Sequence, residues 1–167
     1  MNGSSWRDQL LAHVHAMIEE YGFFIQYVFG EGTDPSWGYT IGFLDLGHPE
    51  VMVFGLDDVS THGVLHALFD EIVSGVFRPV GREHAQTIGT GPPVRLLPVP
   101  QAHWSFAGDR LCTAVDYYAA HGWDSAQLSA LQLVWASPTG DFPWEAECSP
   151  RFRRLQPILD PAAREAA

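Results

Sequence analysis

His48 and Glu50 stand two residues apart around Pro49 in the segment YTIGFLDLGHPEVMVFGL, residues 39–56. An imidazole titrates close to neutral pH, so a histidine with a carboxylate in reach is the arrangement of a general base and the group that orients it. The same residues also suit a structural use, in which His48 closes a turn through backbone groups and Glu50 pairs with an arginine. Pro49 fixes its own φ and biases His48 toward an extended path, so either use sits at a bend in the chain. His48 and Glu50 are the catalytic candidates.

Three further sets of residues carry groups suited to holding a ligand. Tyr39 and Thr40 precede Gly42 in a strand-like run, and glycine in a strand often marks the close approach of a ligand or a second backbone. Alternation places Tyr39 and Thr40 on opposite faces, and core packing is the competing use of Tyr39. Gln132 interrupts the otherwise apolar run ALQLVW, where a buried amide must find partners or cost about 1–3 kcal/mol. It either pins neighbouring backbone or reads a ligand. Trp135, Phe142 and Trp144 are placed to wall an apolar pocket, as flat rings do for planar ligands, or to anchor a loop. The expectation is one pocket that brings His48 or Glu50 to the Gln132–Trp144 stretch.

His62 and His66 are spaced to share a metal ion from one helical face, but glycine, valine and leucine lie between them and no third ligand is marked. They form a weak metal pair. No dinucleotide fingerprint and no nucleophile elbow is present. Cys112 and Cys148 lack paired spacing and read as thiols used as small apolar residues in a reducing compartment. Arg151, Arg153 and Arg154 read as a solvated group or as partners of the acidic body.

The 167 residues carry a net charge of −11, with nine basic residues against twenty acids. Nucleic-acid binding rests on clustered cations, so DNA and RNA are expected non-partners. There is no lysine, which excludes Schiff-base, pyridoxal-phosphate and Walker-type lysine chemistry. A hydrophobic content of 46% with 13% aromatics describes an ordinary globular chain, and no apolar run reaches the roughly 20 residues a membrane span needs. The first residues lack a basic-then-apolar leader, so a cytoplasmic protein without membrane contact is expected.

Hydrophobic periodicity predicts a helix from Ser5 to Tyr21, with Ser5 and Asp8 as a capping pair and Gly22 as its stop. Trp6, Leu10, Val14, Met17, Ile18 and Tyr21 form its apolar face. Strands follow at 23–29, 39–43 and 50–56, the last two antiparallel across the Gly-His-Pro turn. A second helix starts at Asp57 or Asp58 and runs to about Gly75, burying Leu65, Leu68, Phe69, Ile72, Val73 and Val76. The Gly- and Pro-rich stretch 78–100 holds short edge strands, a third helix spans Gly108–His121, and 129–136 is the strongest late strand. Irregular interleaving with short early links favours an α+β domain over residues 1–148: a mainly antiparallel sheet, open or barrel-like, with about three packed helices. Residues 149–167 read as a partly ordered tail.

The segments YTIGF, GHPEVMVFGL, VRLLPVP and ALQLVWASPTGDFPWE, taken in order, resemble a bacterial family known as a domain of unknown function, DUF4262. The likeness spans roughly residues 10 to 147 and implies a shared fold and motif set without an activity. Two functions compete. One is a small-molecule-binding domain, with or without catalysis, built on an aromatic pocket; by fold analogy alone its outline suits a split-barrel cofactor site. The other is an acidic interaction module, antitoxin-like or regulatory, pairing with a basic protein or with a second copy of itself.

Overall fold

Ser5 begins the first helix as read from sequence. In a computed structural model that describes residues 5–77, 85–104, 110–160 and 162, its side chain accepts from the Asp8 amide while Asp8 returns to the Ser5 amide. α1 runs Trp6–Tyr21 and stops at Gly22, whose φ of 89° is the left-handed conformation that ends helices. β1 (Phe24–Val28), β2 (Trp37–Ile41) and β3 (Glu50–Phe54) follow. Asp57 then caps α2 (Asp58–Val73) by accepting from the Ser60 amide. The rest of the chain adds β4 (Gln86–Thr87), β5 (Pro93–Pro98), α3 (Cys112–Ala120), β6 (Ala130–Trp135) and α4 (Pro150–Leu155).

The strands form one open sheet in the order β1-β2-β3-β6-β5-β4. Every neighbouring pair is antiparallel except β3 and β6, which run parallel at the centre. The α+β expectation holds, and the barrel-like alternative does not: β1 and β4 are separate edges, with α2 on one face and α1 and α3 on the other. Alternation explains the two cores. Ile25, Val51, Val53, Leu96 and Leu133 point to α2 and its Leu65 and Leu68, while Tyr39, Ile41, Met52 and Phe54 meet Val14 of α1 and Tyr118 of α3. On that second face, beyond the reach of α1 and α3, Leu97, Val134 and Ala136 are covered by Phe142 and Ile158.

Several expected positions move. Val73 and Val76 end α2 in solvent, and Trp6 and Tyr21 stand out from α1, because the sheet underneath is too short to cover a full helical stripe at its ends. The stretch read as short edge strands yields one such strand, β4, and one interior strand, β5, with residues 78–84 outside the described part. α3 begins at Cys112 rather than Gly108, residue 108 itself lying outside the described part, and Cys112 is exposed while Cys148 is buried.

Candidate functional site

The β2–β3 ladder stops after Tyr39 pairs with Met52, and side chains take over from there. The Val51 amide donates to Thr40 Oγ1 at 2.9 Å, and the same hydroxyl donates to Glu50 Oε2 at 2.5 Å. Glu50 Oε1 accepts from the amides of Gly42 at 2.9 Å and Leu44 at 3.1 Å and from the Tyr118 hydroxyl of α3. Gly42 has φ of 116°, and a Cβ there would stand 3.2 Å from the Gly22 carbonyl oxygen, so only glycine aims its amide at the carboxylate here. Phe43 to Gly47 makes a 3-10 turn, and His48 enters β3 after donating its amide to the Phe43 carbonyl. The turn expected from Gly-His-Pro is therefore present, and a buried carboxylate ties it together.

Glu50 has no exposed surface. Burial pushes its carboxyl up from the usual carboxylate range, and the donors from Thr40, Tyr118, Leu44 and Gly42 pull it back. The Tyr118 hydroxyl is raised by burial and by the adjacent Glu50 charge, so it keeps its proton and serves as a donor. Tyr39 is likewise raised by burial, and its oxygen accepts from the Thr113 amide at 3.3 Å. His48 does not bond to Glu50. Its Nδ1 donates to the Pro49 carbonyl at 2.7 Å, and its ring lies edge-on to Phe43 and Phe77. Burial holds its pKa down, so it is a neutral imidazole, with Nε2 unpartnered among the described residues.

Gln132 and the aromatics occupy the other end of the same strands. Register sets Glu50 beside Ala130 and Gln132 beside Met52, so Trp135 lies five residues, about 16 Å, along β6 from the Glu50 pairing. None of the clefts among the described residues is lined by both motifs. Gln132 instead grips the segment after α4: its Nε2 donates to the Pro157 carbonyl at 2.9 Å, and its Oε1 accepts from Leu159 N–H at 3.0 Å. Gln156 closes the strand end in the same manner, with its amide accepting from Trp135 N–H at 3.0 Å and donating to Trp135 C=O at 2.9 Å. Residues 156–160 are thereby laid along β6.

Trp135 donates its indole N–H to the Phe54 carbonyl at 2.9 Å and meets Phe152 of α4 edge to face. Trp144 stacks on Phe142 with centroids 5.1 Å apart, and the Arg95 guanidinium lies over both rings. Arg153 donates to the carbonyls of Glu145 and Ala146, which anchors one member of the C-terminal arginine group. Tyr118, Gln156 and Arg95 were not singled out from sequence. Gln156 had a legible signal, a neutral amide between prolines and apolar residues, whereas nothing local marks Tyr118.

Two clefts open beside α2. The larger, about 490 Å³, lies between α2 and the β5–β6 half; Leu133, Trp135 and Val94 form its floor, and Ser60, Gly63 and Ala67 lie along its α2 wall. The smaller, about 240 Å³, lies between α1 and α2 at the β1 edge and includes His62 and His66. Those rings are 6.4 Å apart, and His62 Nδ1 lies 2.9 Å from the Asp58 carbonyl and 3.0 Å from its carboxylate. No set of three His, Cys, Asp or Glu side chains among the described residues is placed to hold a metal ion. None of the described helices is long and apolar enough to cross a membrane.

The profile of the family described as "Domain of unknown function (DUF4262)" fits residues 17–149. The chain belongs to that family. No curated protein and no solved structure matches it.

Proposed function

We propose that this DUF4262 domain is a small-molecule-binding module whose ligand occupies the cleft between α2 and the β5–β6 half of the sheet. The observation that carries this reading is the cleft itself: about 490 Å³ with an apolar floor, within the roughly 300–1,000 Å³ range of ligand pockets. It exists because Gly63 and Ala67, one turn apart on α2, are small where leucine would close it. Ser60 and Thr90 supply hydroxyls on its rim, and among the described residues no histidine, cysteine or carboxylate lines it, which favours binding over turnover. Glu50, with both oxygens engaged and no exposed surface, suits a fold-holding use better than catalysis. Two unpaired thiols suit a cytoplasmic setting. The test is native mass spectrometry of protein purified from its source. A retained small molecule that is lost in Gly63→Leu supports the reading. An unliganded wild type whose melting temperature no metabolite mixture raises counts against it.

One observation favours an interaction module as a second reading. Residues 8–77 contain eleven of the twenty acids and neither lysine nor arginine, so the nine arginines all lie outside α1, β1–β3 and α2 apart from Arg7 within the first turn. That half of the molecule suits a basic partner.

A further inference from the structure

Edge strands in natural proteins are ordinarily protected by brevity, by charge or by proline, because their unpaired backbone recruits other strands. The two edges of this sheet differ. β4 is two residues long, whereas β1 is five residues, FIQYV, with neither a charge nor a proline. β1 pairs only with β2 among the described residues, so its outer side has no strand beside it. Phe29, immediately after it, is 78% exposed. Among the described residues the edge is open and unguarded.

The smaller cleft lies along this edge, between Met17 and Tyr21 of α1, Phe23 and Phe24, and His62 and His66 of α2. At about 240 Å³ it falls below the usual size of a small-molecule pocket and suits one long side chain. Its walls are aromatic and its surroundings acidic. His62 Nδ1 donates to the Asp58 carbonyl and carboxylate oxygens at the α2 side of the rim. Asp58, His62, His66 and Asp70 follow one another at four-residue steps along α2, and Glu20 adjoins Tyr21 on the opposite wall. Glu20, Asp58 and Asp70 are exposed, and the nearest arginines in the chain are Arg7 and Arg78.

We infer that the β1 edge and its cleft dock an extended basic segment of a partner protein, which adds a strand beside Phe24–Val28 and places an arginine or lysine side chain between Tyr21, Phe23 and His66. Backbone pairing supplies the register. The aromatic faces and the acidic rim select the cation. A second copy of this chain is disfavoured as the occupant, since it would bring one cation-free acidic half against another. The inference rests on the interaction reading above and is independent of ligand binding on the far side of α2.

The experiment uses the full chain with two probes, a short alternating Arg-Val peptide and its Glu-Val counterpart, followed by calorimetry and by hydrogen exchange. The expected result is binding of the basic peptide alone, with new protection of the Phe24–Val28 amides, and an affinity loss of about tenfold or more in E20R/D70R, whose two positions are exposed and leave the core intact. Protection that appears elsewhere, or an affinity untouched by the charge reversals, overturns the edge assignment while leaving an acidic interaction module standing. Binding of neither peptide overturns both. Self-association of the chain alone with β1 protected also overturns the inference, by giving the edge to a second copy.

Discussion

The two ends of the central β3–β6 pair close buried polar gaps by different means. At the Glu50 end the gap holds a carboxylate, and four donors converge on it from β2, the 3-10 turn and α3. At the Trp135 end the gap is filled by neutral amides, with Gln132 and Gln156 each giving one donor and one acceptor to backbone. A charge in a low-dielectric site tolerates no missing partner, whereas an amide forfeits only the bonds it made. The first end should be the stability anchor, and the second a strap that can be loosened separately.

The largest expected effect comes from Glu50→Ala, which leaves two amides and two hydroxyls facing a void. A loss of about 3–5 kcal/mol is expected by denaturant unfolding; a loss below about 1 kcal/mol would put the anchor elsewhere. Gln156→Ala should cost less, about 1–3 kcal/mol, because only the Trp135 N–H and C=O lose partners. Limited proteolysis should then cut after α4 while the sheet stays protected. If the two losses prove equal, charge and amide closures are not different in kind.

A third outcome concerns pH. Burial raises the Glu50 pKa above its ordinary value near 4.5, so its favourable contribution is full below that value and is lost as pH rises through the folded pKa. The melting temperature of the wild type should fall relative to Glu50→Gln as pH rises from about 4.5, and a difference that runs the other way would show the four donors outweighing burial. His48, with its pKa held down by burial, contributes with the opposite sign, losing stability as pH falls, but it is common to both proteins and cancels. The smallest stability effect belongs to Gly63→Leu, within about 1 kcal/mol in either direction. A Cβ there meets nothing within 4 Å, so the added side chain starts into open space above the cleft floor.

Local chemistry made some of this legible. Ser5 with Asp8 and Gly22 bounds α1, Asp57 starts α2, and the antiparallel reversal at Gly47-His48-Pro49 follows from turn residues between two apolar runs. Glu50 and Gln132 were legible as polar groups in apolar strands that must have partners. Which partners was not. Tyr118 is 68 residues from Glu50, and the backbone held by Gln132 lies 25 to 27 residues downstream of it. The joint pocket expected from sequence assumed that two groups in need of partners would find each other; register separates them instead.

What the sequence determined by itself was α1 and α2 with their caps, the early strands, the α+β class and a long stretch without lysine or arginine, because each depends on neighbours within a turn or two or on composition alone. The tertiary structure alone decided that β6 would insert parallel to β3, that Tyr118 would swing under Glu50, that residues 156–160 would lie along β6, and that β1 would be an edge strand among the described residues. Those outcomes depend on which strands are neighbours. Strand order is set by how two cores, one on each face, bury the most apolar surface at once, and that quantity belongs to the whole sheet rather than to any segment of it.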